Sequence, residues 1–202
     1  MIKTIIFDFG DVFINLDKTA TQKELSKLGL RIISKETESI NESYETGKIT
    51  TNEFISYYQR LLPNISKKQI TNIWNAILKD FPEHRLEFLL KLANEKKYQL
   101  ILLSNTNELH INWIKENISF YTIFKSCFDA FYLSHEINLR KPNIDIFQFV
   151  LDNHKINPSE TLFIDDTAVN TNAAKQLGIN TWNNDPKTDD ISTLFTIKSD
   201  LF

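Results

Sequence analysis

The sequence MIKTIIFDFGDV, residues 1–12, decides the fold of this chain. Ile2 to Phe7 forms a short apolar run rich in β-branched residues, and Asp8 and Gly10 follow it. A run of this kind, bounded by turn-forming residues, predicts a buried β-strand. In an open parallel sheet, ligands bind beyond the carboxyl ends of the strands. The first strand therefore places Asp8 at a candidate binding site.

Similar apolar runs recur along the chain and predict the rest of a sheet. The clearest are 99–103 and 161–164, and weaker candidates are 130–133 and 180–182. They are apolar without alternation, and helical segments separate them, which is typical of parallel strands that are covered on both faces. The pattern predicts an α/β fold with a doubly wound parallel sheet. Pro82 and Pro142 mark the starts of two of the helices, and Gly178 marks the end of a third.

The segment 17–80 differs, because it carries helical patterns and no convincing buried strand. Thr50 and Glu53 form a capping box ahead of one apolar helix, and Ser66 and Gln69 repeat that pattern ahead of another. A helical block of this length is long for a crossover between strands. We predict a core domain made of 1–16 and 81–202, with 17–80 inserted as a helical cap domain.

Composition sets the broad class of the protein. The 202 residues carry a net charge of −3 and are 42 % hydrophobic, a globular balance that argues against a nucleic-acid partner. The single cysteine, Cys127, excludes an intramolecular disulfide and fits a reducing compartment. No stretch is typical of a signal peptide or a membrane span, so we expect a cytoplasmic protein without a membrane partner. We expect a monomer or a homodimer.

Residues suited to phosphoryl transfer follow the predicted strands. They are Asp8, Ser104, Asn105, Lys141, Asp165 and Asp166. The Asp8 carboxylate is ionised at neutral pH and can attack phosphorus. Mg²⁺ held by Asp8 and Asp166 would offset the repulsion between the carboxylate and a phosphate. Lys141 and the donors of Ser104 and Asn105 would hold the transferred oxygens.

Four motifs carry these residues in a fixed order: IIFDFGDV, ILLSNTN, LRKP and LFIDDTAVN. Together they resemble the motifs of the haloacid dehalogenase (HAD) superfamily, and the resemblance covers residues 2–182. It implies a HAD-like Rossmannoid core with strand order 5-4-1-2-3 and a C1-type helical cap. It also implies a Mg²⁺-dependent phosphatase that forms a phospho-aspartate on Asp8 and acts on a small phosphorylated metabolite, similar to sugar-1-phosphate phosphatases.

The resemblance also implies a role for each motif residue. The expected catalytic and phosphate-binding residues are Asp8, Lys141, Ser104 and Asn105, with Lys141 in both groups. The expected Mg²⁺ ligands are Asp8, the main-chain carbonyl of Gly10, and Asp166. Asp165 and Asn170 are expected to orient that set of ligands from behind.

One position departs from the family pattern. Most family phosphatases carry a second aspartate two residues after the nucleophile, as general acid and base, and this chain has Gly10 there. Asp11 lies one residue later and would project differently, so the role is not transferred to it. The loss predicts slow turnover, a substrate with a good leaving group, or proton transfer from water or a cap residue. We also expect Gly10 to use glycine's freedom at positive φ, which would limit any gain from restoring an aspartate there.

Two other functions stay open. A metal-independent 2-haloacid dehalogenase uses the same aspartate nucleophile without a second aspartate. In that enzyme, however, Asp165 and Asp166 would add uncompensated charge near Asp8. A ligand-binding HAD module with weakened catalysis would explain Gly10 as damage to the active site.

The natural substrate is not fixed by these motifs. Tyr44 and Glu45, just before Gly47 in the cap, are predicted to lie near the pocket mouth and to contact the non-phosphate part of the substrate. A phenol and a carboxylate can donate and accept hydrogen bonds, which favours a hydroxyl-rich ligand such as a sugar phosphate.

Overall fold

A five-stranded parallel sheet forms the centre of the computed structural model, which describes residues 1–202. Its strands are β1 (Thr4–Phe7), β2 (Gln99–Ser104), β3 (Ala130–Leu133), β4 (Thr161–Asp165) and β5 (Asn180–Asn183). The spatial order is β3-β2-β1-β4-β5, with every neighbouring pair parallel. Read from the other edge, this is the predicted order 5-4-1-2-3, so the sheet topology is confirmed.

Eleven α-helices surround or follow the strands. They are α1 (Ala20–Lys27), α2 (Lys35–Glu45), α3 (Thr51–Leu61), α4 (Lys67–Asn75), α5 (Glu83–Glu95), α6 (Glu108–Asn117), α7 (Tyr121–Ser126), α8 (Ser134–Ile137), α9 (Ile144–His154), α10 (Ala168–Gln176) and α11 (Leu194–Ile197). No helix has both the length and the apolar character that crossing a bilayer requires.

Both faces of the sheet are covered, which explains the lack of alternation in the strand sequences. Ile5 and Phe7 of β1 pack into a core with α5, whereas Ile6 packs into a second core with α9 and α10. Neighbouring residues in a strand point to opposite faces of the sheet. When both faces are buried, successive positions of the strand are therefore apolar, without alternation. The doubly wound arrangement is therefore confirmed.

The local signals for helix ends are present as predicted. Thr50 and Ser66 each accept a hydrogen bond from the backbone N–H three residues on, and both complete a reciprocal capping box. Gly178 follows α10 with φ of 82°, a left-handed conformation that glycine adopts without steric cost.

The helices α1 to α4 pack around their own apolar cluster, which includes Phe54 and Tyr58, both fully buried. Two short chain segments connect this bundle to the sheet, and they pair with each other. Asn15 donates its backbone N–H to Asp80 O at 2.9 Å, and Asp17 donates to Ile77 O at 2.8 Å. The predicted boundaries at 16/17 and 80/81 fall on this paired connection, and the division into two domains stays a prediction.

Candidate active site

The carboxyl ends of β1, β2 and β4 meet at one edge of the sheet and form the floor of a cleft of about 360 Å³. Asp8 follows β1, Ser104 ends β2, and Asp166 follows β4, and all three line the cleft. The cap contributes the opposite wall. The parallel sheet therefore brings together the residues that the strand ends predicted.

A buried ammonium group holds the floor of the cleft together. Lys141 is 1 % exposed, and its Nζ donates to Asp8 Oδ1, Asp165 Oδ2 and the Leu103 carbonyl, each at 2.7 Å. These three bonds use all three hydrogens of the ammonium. Asp8 and Asp165 raise the pKa of Lys141 against the lowering effect of burial, so the side chain stays charged. Its single positive charge is shared between the two carboxylates and reduces their mutual repulsion.

Asn105 fixes the backbone at Lys141. Its Nδ2 donates to Lys141 O at 2.8 Å, and its Oδ1 accepts from Lys141 N at 2.9 Å. This two-point clamp gives Asn105 a positioning role in addition to the phosphate contact predicted for it. The Ser104 hydroxyl has no hydrogen-bond partner within the protein and lines the cleft, so it is free to donate to a phosphate oxygen.

The two adjacent aspartates after β4 have different surroundings. Asp165 is fully buried and accepts from Lys141, from Thr167 N at 2.8 Å and from Asn170 Nδ2 at 3.0 Å and 3.1 Å. Asp166 lines the cleft and pairs with the half-exposed Lys18. Asp165 is therefore held on every side by the protein, whereas Asp166 faces the cleft.

The donor set fits a hard cation such as Mg²⁺. Asp8, Asp165 and Asp166 each offer a carboxylate oxygen, and these oxygens lie within 4.8 Å of one another. The Gly10 carbonyl accepts no hydrogen bond within the protein, and Gly10 lines the same cleft. Oxygen ligands of this kind are those that Mg²⁺ prefers. Since Asp165 is already fully engaged, Asp8, Gly10 and Asp166 are the residues that would hold the ion.

The charge on Asp8 is sensitive to pH in the metal-free protein. Burial raises the pKa of its carboxyl to about 7, with a further rise from Asp165, although the Lys141 ammonium opposes both. Below that pH the carboxyl holds a proton that a metal ion must displace. We expect the Mg²⁺ affinity to fall about tenfold per pH unit below about pH 7 and to level off above it. Calorimetric titrations across this range, with Asp8→Asn as a control that loses the dependence, test this; a flat profile in the wild type would contradict it.

The environments of Asp165 and Asp166 predict different phenotypes. We expect Asp166→Ala to raise the Mg²⁺ concentration that half-saturates activity by 10-fold to 100-fold or to abolish activity, because a direct ligand is lost. Asp165→Ala keeps that ligand, so its Mg²⁺ requirement changes less, but its free energy of unfolding falls because buried Lys141 loses a partner. Magnesium titrations of activity and urea unfolding of both variants separate the effects. A larger metal defect at Asp165 would show that the two roles are reversed.

The expectation that Gly10 has a positive φ is wrong. The residues with positive φ include Asp11, at 54°, but not Gly10. A Cβ added at Gly10 would lie 2.7 Å from Leu16 Cδ1, so the tip of the Leu16 side chain occupies the space that a side chain at Gly10 needs. The constraint on Gly10 is therefore the close approach of Leu16 and not its backbone conformation.

We expect Gly10→Asp to raise turnover by less than tenfold, because Leu16 must move before the new carboxyl can reach the cleft. Gly10→Ala is the matched control, since it adds the Cβ without the carboxyl. Leu16→Ala combined with Gly10→Asp frees the space and should raise turnover above that of the single variant. Steady-state kinetics on one substrate with all four proteins decide this, and a gain of tenfold or more (about 1.4 kcal/mol) for Gly10→Asp alone would contradict the steric argument.

Asp11 does not line the cleft. Its Oδ1 accepts from Leu16 N at 2.9 Å, and its Oδ2 lies 3.2 Å from Lys18 Nζ. Both carboxylate oxygens therefore serve the connection to the cap, which agrees with leaving the general-acid role unassigned to Asp11.

His110 of α6 lines the cleft. Its Nε2 lies 3.1 Å from Trp74 O, and its Nδ1 lies 3.2 Å from Asn107 Nδ2. The ring is neutral with its proton on Nε2, since a carbonyl only accepts and an amide nitrogen only donates. Burial lowers the pKa of His110 to about 4, so the imidazole does not supply a proton at neutral pH. It links α4 of the cap to α6 of the core.

The predicted specificity residues separate in the structure. The predicted position of Tyr44 needs correction, because this residue does not line the cleft with Asp8. Its ring stacks on Phe54 with ring centroids 4.2 Å apart, and its hydroxyl contacts Thr51 Oγ1 and Leu109 N. Glu45 does line the cleft. Successive helical residues point about 100° apart, so two neighbours on α2 do not face the same cavity.

Two basic residues of the cleft were missed from the sequence. Lys18 lies just after the connection to the cap, where no motif marks it. Arg140 stands directly before Lys141 in the LRKP motif, so its position was visible, but its partners are two glutamates in the distant segment 42–45. Contacts between the cap and the core are not readable from either segment alone.

Comparisons with known proteins agree with this geometry. A family model described as a haloacid dehalogenase-like hydrolase matches residues 2–178. The D-ribitol-5-phosphate phosphatase of Bacteroides thetaiotaomicron is 31 % identical over 194 residues, which cover 90 % of this chain and 91 % of that protein. A sesquiterpene phosphatase of Aspergillus oryzae is 26 % identical over 191 residues, which cover 88 % of this chain and 87 % of that protein.

Solved structures show the same similarity. A HAD family enzyme from Bacteroides thetaiotaomicron, in complex with magnesium and inorganic phosphate, matches with a TM-score of 0.83 and 36 % identity. The match covers 96 % of this chain and 100 % of that chain. A HAD-like family hydrolase from Porphyromonas gingivalis matches with a TM-score of 0.81 and 26 % identity, over 100 % and 98 % of the two chains.

Proposed function

Because the chain belongs to the haloacid dehalogenase-like hydrolase family, we propose that it is a Mg²⁺-dependent phosphatase. In this proposal Asp8 is the nucleophile and forms a phospho-aspartate intermediate. The substrate is a small phosphorylated metabolite of the sugar or polyol class.

The observation that carries this proposal is the arrangement of charge around Asp8. One oxygen, Oδ1, is held by Lys141 at 2.7 Å, whereas Oδ2 has no hydrogen-bond partner within the protein. Asp166 and Gly10 line the same cleft as Asp8. A carboxylate fixed in orientation, with cation-binding oxygens beside it, is what attack on a phosphate ester needs.

The first chemical step joins Asp8 to the phosphoryl group. An oxygen of the Asp8 carboxylate forms a bond to phosphorus, while the bond from phosphorus to the leaving-group oxygen breaks. The leaving oxygen takes its proton from water in the cleft, since Gly10 has no side chain to supply one. Ser104 donates to a phosphate oxygen, and Lys141 keeps the acyl oxygen in place.

The second step restores the enzyme. A water molecule attacks the phosphorus of the phospho-aspartate, the bond between phosphorus and the Asp8 oxygen breaks, and inorganic phosphate leaves. The proton that this water loses balances the proton taken up by the leaving group in the first step. Mg²⁺ supplies charge compensation to the transferred oxygens when it is bound. The relative from Bacteroides thetaiotaomicron, solved with magnesium and inorganic phosphate, supports this cofactor.

The similarity to a D-ribitol-5-phosphate phosphatase over nine tenths of the chain supports the substrate class. The two other functions that the sequence left open have weaker support. Metal-independent dehalogenation does not use the Asp166 carboxylate, whose negative charge near Asp8 then has no metal ion to bind. A module without catalysis leaves unexplained why Asp8 is still held by Lys141 in the orientation that attack requires.

Phosphate release from p-nitrophenyl phosphate, with Mg²⁺ and with excess chelator, tests the proposed function, and trapping of radiolabelled phosphate on the protein tests the intermediate. We expect release that depends on Mg²⁺ and a label that disappears in Asp8→Asn. Halide release from chloroacetate without metal would favour the dehalogenase, and ligand binding without either activity would favour the module.

A further inference from the structure

A single side chain from the cap helices lines the active cleft. Among the lining residues only Glu45 belongs to α1–α4, because Lys18 precedes α1 and Ile77 and Leu78 follow α4. The Glu45 side chain is 32 % exposed, so it is accessible from the cleft. From the cap, the part of a substrate beyond the phosphate therefore meets the Glu45 carboxylate, the apolar side chains of Ile77 and Leu78, and Lys18, whose ammonium is paired with Asp11 and Asp166.

Arg140 orients this carboxylate from the core side. Its Nη2 lies 3.0 Å from Glu45 Oε2, and its Nη1 donates to Glu42 Oε1 at 2.9 Å. The second oxygen of Glu45, Oε1, has no hydrogen-bond partner within the protein. The guanidinium thus forms an ion pair with Glu45 through Oε2 without a well-aligned hydrogen bond, and Oε1 is left to accept a hydrogen bond from a ligand. With two glutamates as partners, Arg140 adds no net positive charge that would attract a second anionic group.

The backbone of Glu45 is also fixed to the core. Ser134 Oγ donates to Glu45 O at 2.6 Å, and Asn138 Nδ2 donates to Thr46 O at 2.8 Å. Gly47 has φ of 64° and packs so closely that an added Cβ would lie 2.1 Å from His135 O. Two side-chain hydrogen bonds from Ser134 and Asn138 and the close approach at Gly47 therefore hold the end of α2 against α8, so Glu45 is a fixed part of the cleft wall.

We infer that Glu45 is a specificity-determining residue that accepts a hydrogen bond from a hydroxyl of the leaving group, and that Arg140 is its positioning residue. This inference rests on the proposed function and narrows its substrate to a neutral, polyhydroxylated monophosphate. A carboxylate accepts a hydrogen bond from a hydroxyl group, and it repels a second phosphate or a carboxylate. Glu45 therefore favours polyol and sugar monophosphates and disfavours bisphosphates.

The test compares three phosphate esters across wild type and Glu45→Gln. D-ribitol 5-phosphate carries hydroxyls, p-nitrophenyl phosphate carries none, and fructose 1,6-bisphosphate carries a second anionic group. We expect Glu45→Gln to lower the ratio of kcat/KM for ribitol 5-phosphate to that for p-nitrophenyl phosphate by about tenfold, because a hydrogen bond to a charged group is lost. The ratio of kcat/KM for the bisphosphate to that for p-nitrophenyl phosphate should rise, because the neutral amide no longer repels the second phosphate.

Arg140→Met tests the positioning role, and Glu42→Gln is its matched control. We expect Arg140→Met to raise KM for ribitol 5-phosphate by about fivefold to tenfold with a smaller change in kcat, because a mobile Glu45 binds the hydroxyl less well. Glu42 contacts the same guanidinium but does not line the cleft. Glu42→Gln should leave kcat/KM for ribitol 5-phosphate and for the bisphosphate, each relative to p-nitrophenyl phosphate, within about twofold of wild type, because most exposed ion pairs contribute little.

The outcome is decided even if turnover is too slow to measure. In that case calorimetry with Mg²⁺ in the Asp8→Asn background compares binding of ribitol 5-phosphate and inorganic phosphate with and without Glu45→Gln. Weaker binding of the ester alone, by about tenfold, supports the inference even where absence of phosphate release has overturned the proposed function. Parallel changes for all compounds, or none for any, would overturn the role of Glu45 while leaving measured Mg²⁺-dependent phosphatase activity standing.

Discussion

We expect Asp8→Asn to lower turnover by at least about 10³-fold while leaving the protein folded. The amide is a poor nucleophile with nearly the shape of the carboxylate, so the chemical step is lost and the packing is kept. Burial raises the pKa of Asp8, which means that the folded protein disfavours its charge, and a neutral amide avoids that cost. Lys141 retains Asp165 and the Leu103 carbonyl as partners.

Steady-state phosphate release and urea unfolding of the purified variant measure the two parts of this prediction. The free energy of unfolding should lie within about 1 kcal/mol of wild type, since no buried charge is left without a partner. Asp200→Asn is a matched control, because it makes the same chemical change at an exposed aspartate of the core. A folded Asp8→Asn protein that keeps a tenth of wild-type turnover would remove Asp8 from the nucleophile role.

The sheet was predictable because burial on two faces leaves a direct trace in sequence. The three central strands β1, β2 and β4 each contain a continuous apolar run, and a charged or hydroxyl residue follows it where the cleft begins, as at Asp8 and Ser104. The edges of elements were less exact: the predicted first strand begins at Ile2, whereas β1 begins at Thr4. Ile2 instead donates its N–H to Leu201 O, a contact with the far end of the chain that no local pattern encodes.

The floor of the cleft was predictable for the same reason, whereas its cap wall was not. Residues at strand ends are placed by the sheet, but the face that α2 presents to the cleft depends on how the cap docks. That docking rests on single contacts such as Ser134 with Glu45 O, which have no sequence signature. The reason for glycine at position 10 was also predicted wrongly. It is the close approach of the Leu16 side chain, which depends on how residues 11–16 fold back over Gly10 and not on a positive φ.

Replacing the buried lysine should produce the second large effect. We expect Lys141→Met to abolish phosphatase activity and to lower the free energy of unfolding by about 3–5 kcal/mol at neutral pH. The substitution leaves Asp8 and Asp165 buried, close together and without the cation that Nζ provides at 2.7 Å from each. Lys91→Met is the control, because Lys91 is exposed and forms no ion pair, so its effect should stay within about 0.5 kcal/mol.

The cause of that loss has two signatures that distinguish uncompensated charge from altered packing. Adding Asp165→Asn to Lys141→Met removes one of the two carboxylates, so the double variant should be more stable than the sum of the single effects by about 1–3 kcal/mol.

The loss of stability in Lys141→Met should also depend on pH. Without the ammonium, which lowers the pKa of Asp8 in the wild type, the folded protein raises that pKa further above its unfolded value. The folded state then binds more protons than the unfolded chain, so the variant gains stability as pH falls and loses it as pH rises. Urea unfolding at about pH 5.5 and about pH 8 measures this difference. A stability loss that is equal at both pH values, together with strict additivity in the double variant, would show that Lys141 acts through packing and not through its charge.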